Sequence, residues 1–362
     1  MPGVTGVREI TAAVERLAPP ELAEGWDNSG LQVGDLAANA GRVLVALTPL
    51  PEVFDEAEET GADFLLFHHP LIFSPMKSVR TGSYPGDLVA RAISKDLTVY
   101  AAHTSYDAAP DGVSVALANA VGLRGPLEVV SPRGAVRKLA VFVPVEDAEA
   151  VAEALAGAGA GRIGDYTRCT FRSPGTGTFL PGEGSDPYLG ERGRLERVEE
   201  VRLETVVPAH LARAAVDAAT AAHPYEEVAL DVYPVEGHPE GCGYGRVGTL
   251  PEPMGPEDLR AHVSRSLGFR ASLVAGGDRA EIRRVAVLGG SGGSFLREVA
   301  ASGAEAYVTG DLDYHDALLA ESLGLAAIDA GHAATELPSL EPLARRLAGL
   351  VGVPVGVSRV RR

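Results

Sequence analysis

Short apolar runs alternate with segments of helical character along the first third of the chain. Residues 42–47, 63–67 and 97–102 are almost entirely apolar, as expected for strands that are buried on both faces. Residues 51–60 begin with proline and are followed by Gly61, which is typical of a helix start and a helix end. Strands that alternate with helices predict an α/β fold with a mainly parallel sheet.

The middle of the chain follows a different pattern. An apolar strand and an Ala-rich helix precede a Gly- and Pro-rich stretch, and a second strand and a second Ala-rich helix follow it. This order predicts a small α+β domain with an antiparallel sheet over residues 133–240. The earlier alternation returns afterwards. We therefore predict one discontinuous α/β domain, residues 1–132 and 241–362, that is interrupted by this inserted domain.

Charge and cysteine content narrow the class of protein. The chain has 362 residues and a formal net charge of −17, because 49 acidic residues outnumber 32 basic ones. Such a surface repels phosphate backbones, which argues against a nucleic-acid partner. Cys169 and Cys242 are too few for a disulfide scaffold and suit a reducing compartment. The N-terminus lacks a signal-peptide pattern, and no apolar run approaches the roughly 20 residues of a membrane span. We expect a cytoplasmic protein.

Two histidines directly follow the strand predicted over residues 63–67. His68 and His69 precede Pro70, which marks the end of the strand. Ligands gather outside the carboxyl ends of strands in parallel α/β sheets. Because adjacent side chains point to opposite faces within a strand, both histidines reach one site only where the chain turns. They are either two metal ligands or two polar loop residues.

A second polar cluster follows the strand predicted over residues 97–102. Asp107, four residues after His103, offers a hard oxygen ligand. We interpret His103 as a ligand, a proton shuttle or a residue that steadies a ligand. The alternative is a structural histidine with ordinary hydrogen bonds.

A third cluster follows the strand predicted over residues 325–329. His332 and Glu336 are four residues apart, which places both on one face of a helical turn. The alternative is an early-turn acidic residue that only favours the start of a helix.

The three clusters share one arrangement, an apolar strand followed at once by His, Asp or Glu. Together they offer more ligands than one tetrahedral ion needs, and they suit two ions that share a carboxylate. We predict a site for two divalent metal ions per chain, zinc, iron or manganese, on five residues. These are His68, His69, Asp107, His332 and Glu336.

Three further features leave two interpretations open. The run GGSGGS at residues 289–294 suits either a phosphate-binding turn or a tight packing turn. Asp311 and His315 either line the same cleft or serve the structure. Trp26, the only tryptophan, lies either at the rim of the pocket or in a structural turn.

Five segments of the sequence resemble, in order and over nearly the whole chain, the NGG-interacting-factor-three-like family. They are GWDNSGLQVG, LLFHHPLIF, AAHTSYDAAPDG, VTGDLDYHDA and DAGHAATE. The HHP, HTxxD and GHxxxE patterns are together highly specific. Bacterial members are often labelled GTP cyclohydrolase I type 2 homologues. The inserted segment is similar to the extra domain of the longer bacterial members, a small trimeric signalling-type α+β fold.

This resemblance implies a toroidal homohexamer with a dinuclear metal site in each subunit. It implies that His68, His332 and Glu336 hold one ion. It also implies that His69, Asp107 and the same glutamate hold the other, so that Glu336 bridges the two.

The sequence departs from the family after the first strand. Thr48 and Pro49 occupy the place where the family commonly has an aspartate. This leaves the role of that carboxylate open in this chain, although the five predicted ligands are present.

Two functions from different classes fit these residues. The first is a dinuclear-metal-dependent hydrolase, GTP cyclohydrolase I type 2-like, that uses metal-activated water on a nucleotide or phosphoester, with His103 as the catalytic acid–base. The sequence has no nucleophile-elbow motif for Ser/His/Asp catalysis. The second is a non-catalytic metal-binding or regulatory assembly protein.

Overall fold

The computed structural model describes residues 4–361, which fall into two units. Unit 1 combines the residues up to Pro132 with those from Gly241 onward, and unit 2 spans Arg133–Glu240. Among the described residues, no helix combines the length and the apolar character needed to cross a bilayer.

The first part of unit 1 contains strands that are buried on both faces. Every residue of β4, β5 and β6 is buried, because apolar side chains occupy both faces of each strand. These strands are parallel neighbours, and β2 pairs antiparallel with β6. The elements are β1 (Thr5–Gly6), α1 (Val7–Leu17), β2 (Gly30–Val33), β3 (Asn39–Ala40), β4 (Val43–Ala46), α2 (Pro51–Thr60), β5 (Phe64–Phe67), α3 (Gly86–Ser94), β6 (Thr98–Ala101), α4 (Thr104–Asp107), α5 (Val113–Val121) and β7 (Arg124–Pro132).

Unit 2 is an antiparallel sheet with helices packed on one face. Its elements are β8 (Val136–Pro144), α6 (Ala148–Gly157), β9 (Phe171–Phe179), β10 (Glu196–Pro208), α7 (Ala212–Ala222) and β11 (Leu230–Val235). The strand order is β11-β8-β10-β9, and each neighbouring pair is antiparallel. Alternate apolar residues of β8 and β10, such as Val141 and Leu203, pack with those of α6 and α7 into a core of unit 2's own.

The second part of unit 1 builds a mixed sheet in the order β13-β16-β15-β14-β12-β7. Its elements are β12 (Gly243–Met254), α8 (Pro256–Leu267), β13 (Ser272–Ala275), β14 (Ile282–Ser291), α9 (Leu296–Ala301), β15 (Ala306–Gly310), α10 (Tyr314–Ser322), β16 (Ala326–Asp329), α11 (His332–Glu336), α12 (Leu340–Ala348) and β17 (Val355–Val357). The strand β15 is parallel to β14 and β16, and the other pairings in this sheet are antiparallel. The last strand, β17, returns to the first sheet beside β4.

The prediction of an α/β fold is confirmed, but the finer prediction of one mainly parallel sheet is not. The strands of unit 1 divide between two sheets, and the second sheet contains antiparallel pairings. The difference arises largely at β12, whose sequence GYGRVGTLPEPM is rich in the residues of turns and loops. It forms a strand because pairing with β7 and β14 supplies hydrogen bonds to its backbone.

A buried arginine joins β12 to the segment that follows Asp107. The side chain of Arg246 is 2% exposed and is among the largest that are fully buried in the described residues. Its guanidinium donates to backbone carbonyls of both segments. The acceptors are Ala109 and Pro110 in the segment after Asp107, and Gly241, Gly243 and Gly245 in or just before β12. A buried charge that satisfies its donors in this way fixes the loop after Asp107.

Unit 2 leaves and re-enters unit 1 at neighbouring points, because Pro132 at the end of β7 pairs with Gly243 at the start of β12. Replacing residues 133–240 with a short Gly/Ser linker should therefore turn β7 and β12 into a hairpin and leave unit 1 folded. Elemental analysis of the purified deletion variant should give the metal content of the full chain. Loss of both solubility and metal content would show that unit 2 is integral to the core.

Candidate metal centre

His68 and His69 lie directly after β5, where the neighbouring strand still holds their backbone. The N–H of His68 donates to the carbonyl of Ala46 at 3.0 Å, and that of His69 donates to the carbonyl of Leu47 at 2.9 Å. The centroids of the two imidazole rings are 5.1 Å apart. The turn after the strand therefore brings both side chains to one place.

Each histidine of the site is oriented through its Nδ1 atom. The partners are Ala102 O for His68 (3.0 Å), Thr48 Oγ1 for His69 (3.0 Å), Asp311 Oδ2 for His332 (2.6 Å) and Asp27 Oδ1 for His103 (2.7 Å). Metal-binding histidines are held in this way, with a hydrogen bond at one nitrogen that leaves the other as the ligand.

Sequence reasoning named Asp311 only as a candidate cleft residue and missed the orienting contacts themselves. Asp27 and Asp311 lie 76 and 21 residues from the histidines they contact, so no local spacing reveals the pairs. The left-handed backbone of Asp311, with φ of 56°, is the one unusual local feature. Thr48 stands at the departure from the family pattern, and its hydroxyl contacts His69 there.

The Nε2 atoms of three histidines converge on the carboxylate of Glu336, which lies in α11 and is 2% exposed. The Nε2 atoms of His68 and His332 lie 3.5 and 3.2 Å from Oε1. The Nε2 atom of His69 lies 3.0 Å from Oε2. The two carboxylate oxygens thus face different histidines.

Asp107 and His103 come to the same centre from the segment after β6. Asp107 Oδ1 lies 3.7 Å from the Nε2 atom of His68. One ligand atom of His103 lies within 4.8 Å of ligand atoms of His68 and His69. The structure therefore brings together the five predicted ligands and His103. It does not bring His315 into either cluster of possible ligands found among residues 4–361.

The residues present fit divalent metal ions. His68 Nε2, His69 Nε2 and Glu336 Oε2 are buried, and although His69 Nε2 lies 3.0 Å from Glu336 Oε2, none of the three makes a hydrogen bond of good geometry within the described chain. Buried polar atoms in folded proteins almost always make such bonds, so these three are suited to bind another group. Imidazole nitrogens and carboxylate oxygens are the donor set of zinc, iron and manganese sites.

Charges at the centre shift the pKa values of its side chains. Burial alone would lower the pKa of His68, but Asp107 and Glu336 outweigh it and raise that pKa to about 9. Contact with Glu336, against the effect of burial, also raises the pKa of His332 to about 9. Burial raises the pKa of Asp107 to about 6. For Glu336, burial is outweighed by the surrounding imidazoles, which hold its pKa well below the ordinary range.

Gly290 leaves the room that the Glu336 carboxylate occupies. A Cβ atom at Gly290 would lie 2.5 Å from Glu336 Oε1, whereas one at Gly289 would overlap Cγ1 of Val113. The N–H of Gly290 donates to Thr335 Oγ1 at 2.9 Å, inside the protein. These contacts favour the packing interpretation of the GGSGGS run over a phosphate-binding turn.

Exposed aromatic rings stand beside His103. Trp26 is 62% exposed and Phe73 is 53% exposed. Their ring centroids lie 6.2 and 6.3 Å from that of His103, and 6.1 Å from each other. Trp26 therefore lies at the rim of the candidate centre, with apolar ring surface open to solvent.

Comparison with known proteins establishes the family. A family model described as Duf34/NIF3 (NGG1p interacting factor 3) matches residues 5–361. The chain belongs to the Duf34/NIF3 family. The resemblance seen in the five sequence segments is thereby confirmed.

Bacterial relatives match this chain over most of their own length. The GTP cyclohydrolase 1 type 2 homolog of Halalkalibacterium halodurans is 43% identical over 323 residues, covering 88% of this chain and 86% of the relative. That of Bacillus subtilis is 41% identical over 345 residues, covering 95% and 92%. The crystal structure of a Bacillus cereus protein related to NIF3 has a TM-score of 0.87 and 42% identity, covering 98% of this chain and 97% of the other.

The raised pKa values predict a metal affinity that keeps increasing into the alkaline range. An ion must displace the protons that His68 and His332 hold below about pH 9. Each displaced proton increases affinity by up to about tenfold per pH unit until its pKa is passed. Calorimetric titration of the metal-free protein with Zn²⁺ or Mn²⁺ between pH 7 and pH 9, in buffers of different ionisation enthalpy, measures both affinity and proton release. A metal affinity that stays constant across this range, with no release of protons, would contradict the raised pKa values of His68 and His332.

Proposed function

We propose that this protein is a dinuclear-metal-dependent hydrolase, and that its substrate is a nucleotide of the GTP type or a phosphoester. The observation that carries the proposal is the convergence of three oriented Nε2 atoms, those of His68, His69 and His332, on the buried carboxylate of Glu336. The names of the relatives support the choice of GTP as the first substrate to test.

The two sides of the Glu336 carboxylate support a division of the ligands between two ions. Oε1 faces His68 and His332, which would hold one ion together with it. Oε2 faces His69, which would hold the second ion. Asp107, whose Oδ1 lies 3.7 Å from His68 Nε2, is assigned to this second ion by the family resemblance alone. Two divalent ions so bound would supply an activated water and a positive clamp for a developing oxyanion.

The protein's own residues would position the substrate and move the proton. The Asp27 carboxylate lies 2.7 Å from the Nδ1 atom of His103 and keeps a proton there, so Nε2 is the atom that would exchange a proton with substrate. The exposed faces of Trp26 and Phe73 support a substrate with a planar ring, because such rings stack on aromatic side chains.

Assembly and location belong to the same proposal. We infer a homohexamer from the family resemblance, and the cytoplasmic location stays a prediction from the sequence. Neither affects which residues form the centre.

Variants of three residues test the hydrolase. Glu336→Gln should abolish turnover and weaken metal binding, because the variant loses the charge that both ions would share. His103→Ala should slow turnover by roughly 10²–10⁴-fold while the metals stay bound, as expected for a general acid–base. Cys169→Ala is the matched control and should change neither, since Cys169 lies in unit 2. The measurement is steady-state hydrolysis of GTP and of a phosphoester by the metal-loaded proteins.

Two results would overturn this assignment. One is full activity in the Glu336 variant, and the other is activity that survives complete chelation. A wild-type protein that holds its metals but turns over none of these substrates would favour the non-catalytic assembly protein instead.

A further inference from the structure

Unit 2 contains a cavity of about 400 Å³ on the side of its sheet away from α6 and α7. Alternate side chains of β8 and β10, such as Val141 and Leu203, pack with the helices. The intervening side chains of these strands point to the other face of the sheet, and among them Phe142 and Glu200 line the cavity. Its volume lies within the usual range for small-molecule sites.

Four aromatic side chains form part of the wall of this cavity. Phe142, Phe179, Tyr188 and Tyr225 all line it. The ring of Tyr225 lies 5.9 Å from that of Phe179 and 6.2 Å from that of Tyr188, between centroids. Aromatic faces gathered in this way attract an organic cation or stack on a planar group.

A buried carboxylate supplies the polar group of the cavity. Glu200 is 8% exposed, and its Oε1 accepts a hydrogen bond of 2.9 Å from the hydroxyl of Tyr225. Burial and this carboxylate raise the pKa of Tyr225, so its hydroxyl keeps the proton that it donates. A Cβ atom at Gly177 would overlap the carboxylate, so the glycine leaves the room that Glu200 occupies.

The charge of Glu200 has no cationic partner in the described part of the chain. Arg202, two residues further along the same strand, is paired with Glu204 at 2.7 Å, and its guanidinium carbon lies 5.9 Å from the ring centroid of Phe142. Glu226 and Glu227 also line the cavity, whereas no lysine, arginine or histidine does so among the described residues. A buried carboxylate without a cation is costly, and this lining repels phosphates and carboxylates.

We propose that unit 2 has a binding site for a small organic cation with a planar or apolar body. Its amine, amidine or guanidine group would donate to Glu200, and its body would lie against Phe179 and Tyr225. The site is formed by unit 2 alone and uses none of the residues of the metal centre. It gives a role to the segments GTGTFLPGEG and HPYEE, which the hydrolase does not use.

Benzamidine is a suitable probe, because its amidinium can form two hydrogen bonds with one carboxylate while its ring stacks. Benzamide has the same shape without the charge. Calorimetric titration of the full chain should show saturable binding of benzamidine, and benzamide should bind at least roughly tenfold more weakly.

Three variants locate the site. Glu200→Gln keeps the shape of the side chain and should weaken benzamidine binding by roughly ten- to hundredfold, to the level of benzamide. Phe179→Ala should weaken the binding of both compounds, since it removes stacking surface rather than charge. Glu199→Gln is the matched control. Glu199 is exposed on the same strand and accepts a hydrogen bond from the hydroxyl of Thr176, so benzamidine binding should not change.

Several outcomes would overturn the proposal. Equal binding of benzamidine and benzamide would show that charge does not contribute to binding. Unchanged binding in the Glu200 variant would show that the ligand binds elsewhere. Absence of benzamidine binding would also overturn it. If benzamidine does not bind, light scattering tests whether a second copy of the chain covers this face instead. The assembly of the Glu200→Gln variant would then have a lower mass than that of the wild-type protein.

Discussion

The carboxylate of Glu336 is buried at the point where three imidazoles meet, and the site depends on how that negative charge is balanced. A buried ion without a partner costs several kcal/mol, so the fold must bring positive charge to it. The Nε2 atoms of His68, His69 and His332 lie 3.0–3.5 Å from its oxygens. Protons balance the charge when metal is absent, which is why the pKa of two of these histidines rises to about 9. Divalent ions would balance it more completely and release those protons.

This balance requires both sheets of unit 1. His68, His69 and Asp107 follow β5 and β6 of the first sheet. His332 and Glu336 follow β16 of the second sheet. Neither sheet holds the full set of ligands. Two smaller features complete the site: Gly290 of β14 leaves space for the carboxylate, and Arg246 fixes the loop after Asp107.

The parts that could be predicted from sequence are those with a strong local signal. Strands β4, β5 and β6 are apolar at nearly every position, and an abrupt polar residue after a strand marks a strand end that can carry ligands. Strand β12 could not be predicted, because its glycines and prolines favour a loop and only its neighbours make it a strand. Asp27, Asp311 and Thr48 were not predicted as orienting residues, because their contacts with histidines join distant parts of the chain.

The metal content of two matched variants tests the central claim, that oriented histidines around Glu336 hold two ions. His332 contacts Oε1 of the carboxylate, whereas His315 lies in α10, outside both ligand clusters among the described residues. Elemental analysis of the wild-type protein and of His315→Ala should give about two transition-metal ions per chain, and His332→Ala should lose at least one. Full metal content in the His332 variant, or equal loss in both variants, would contradict the account.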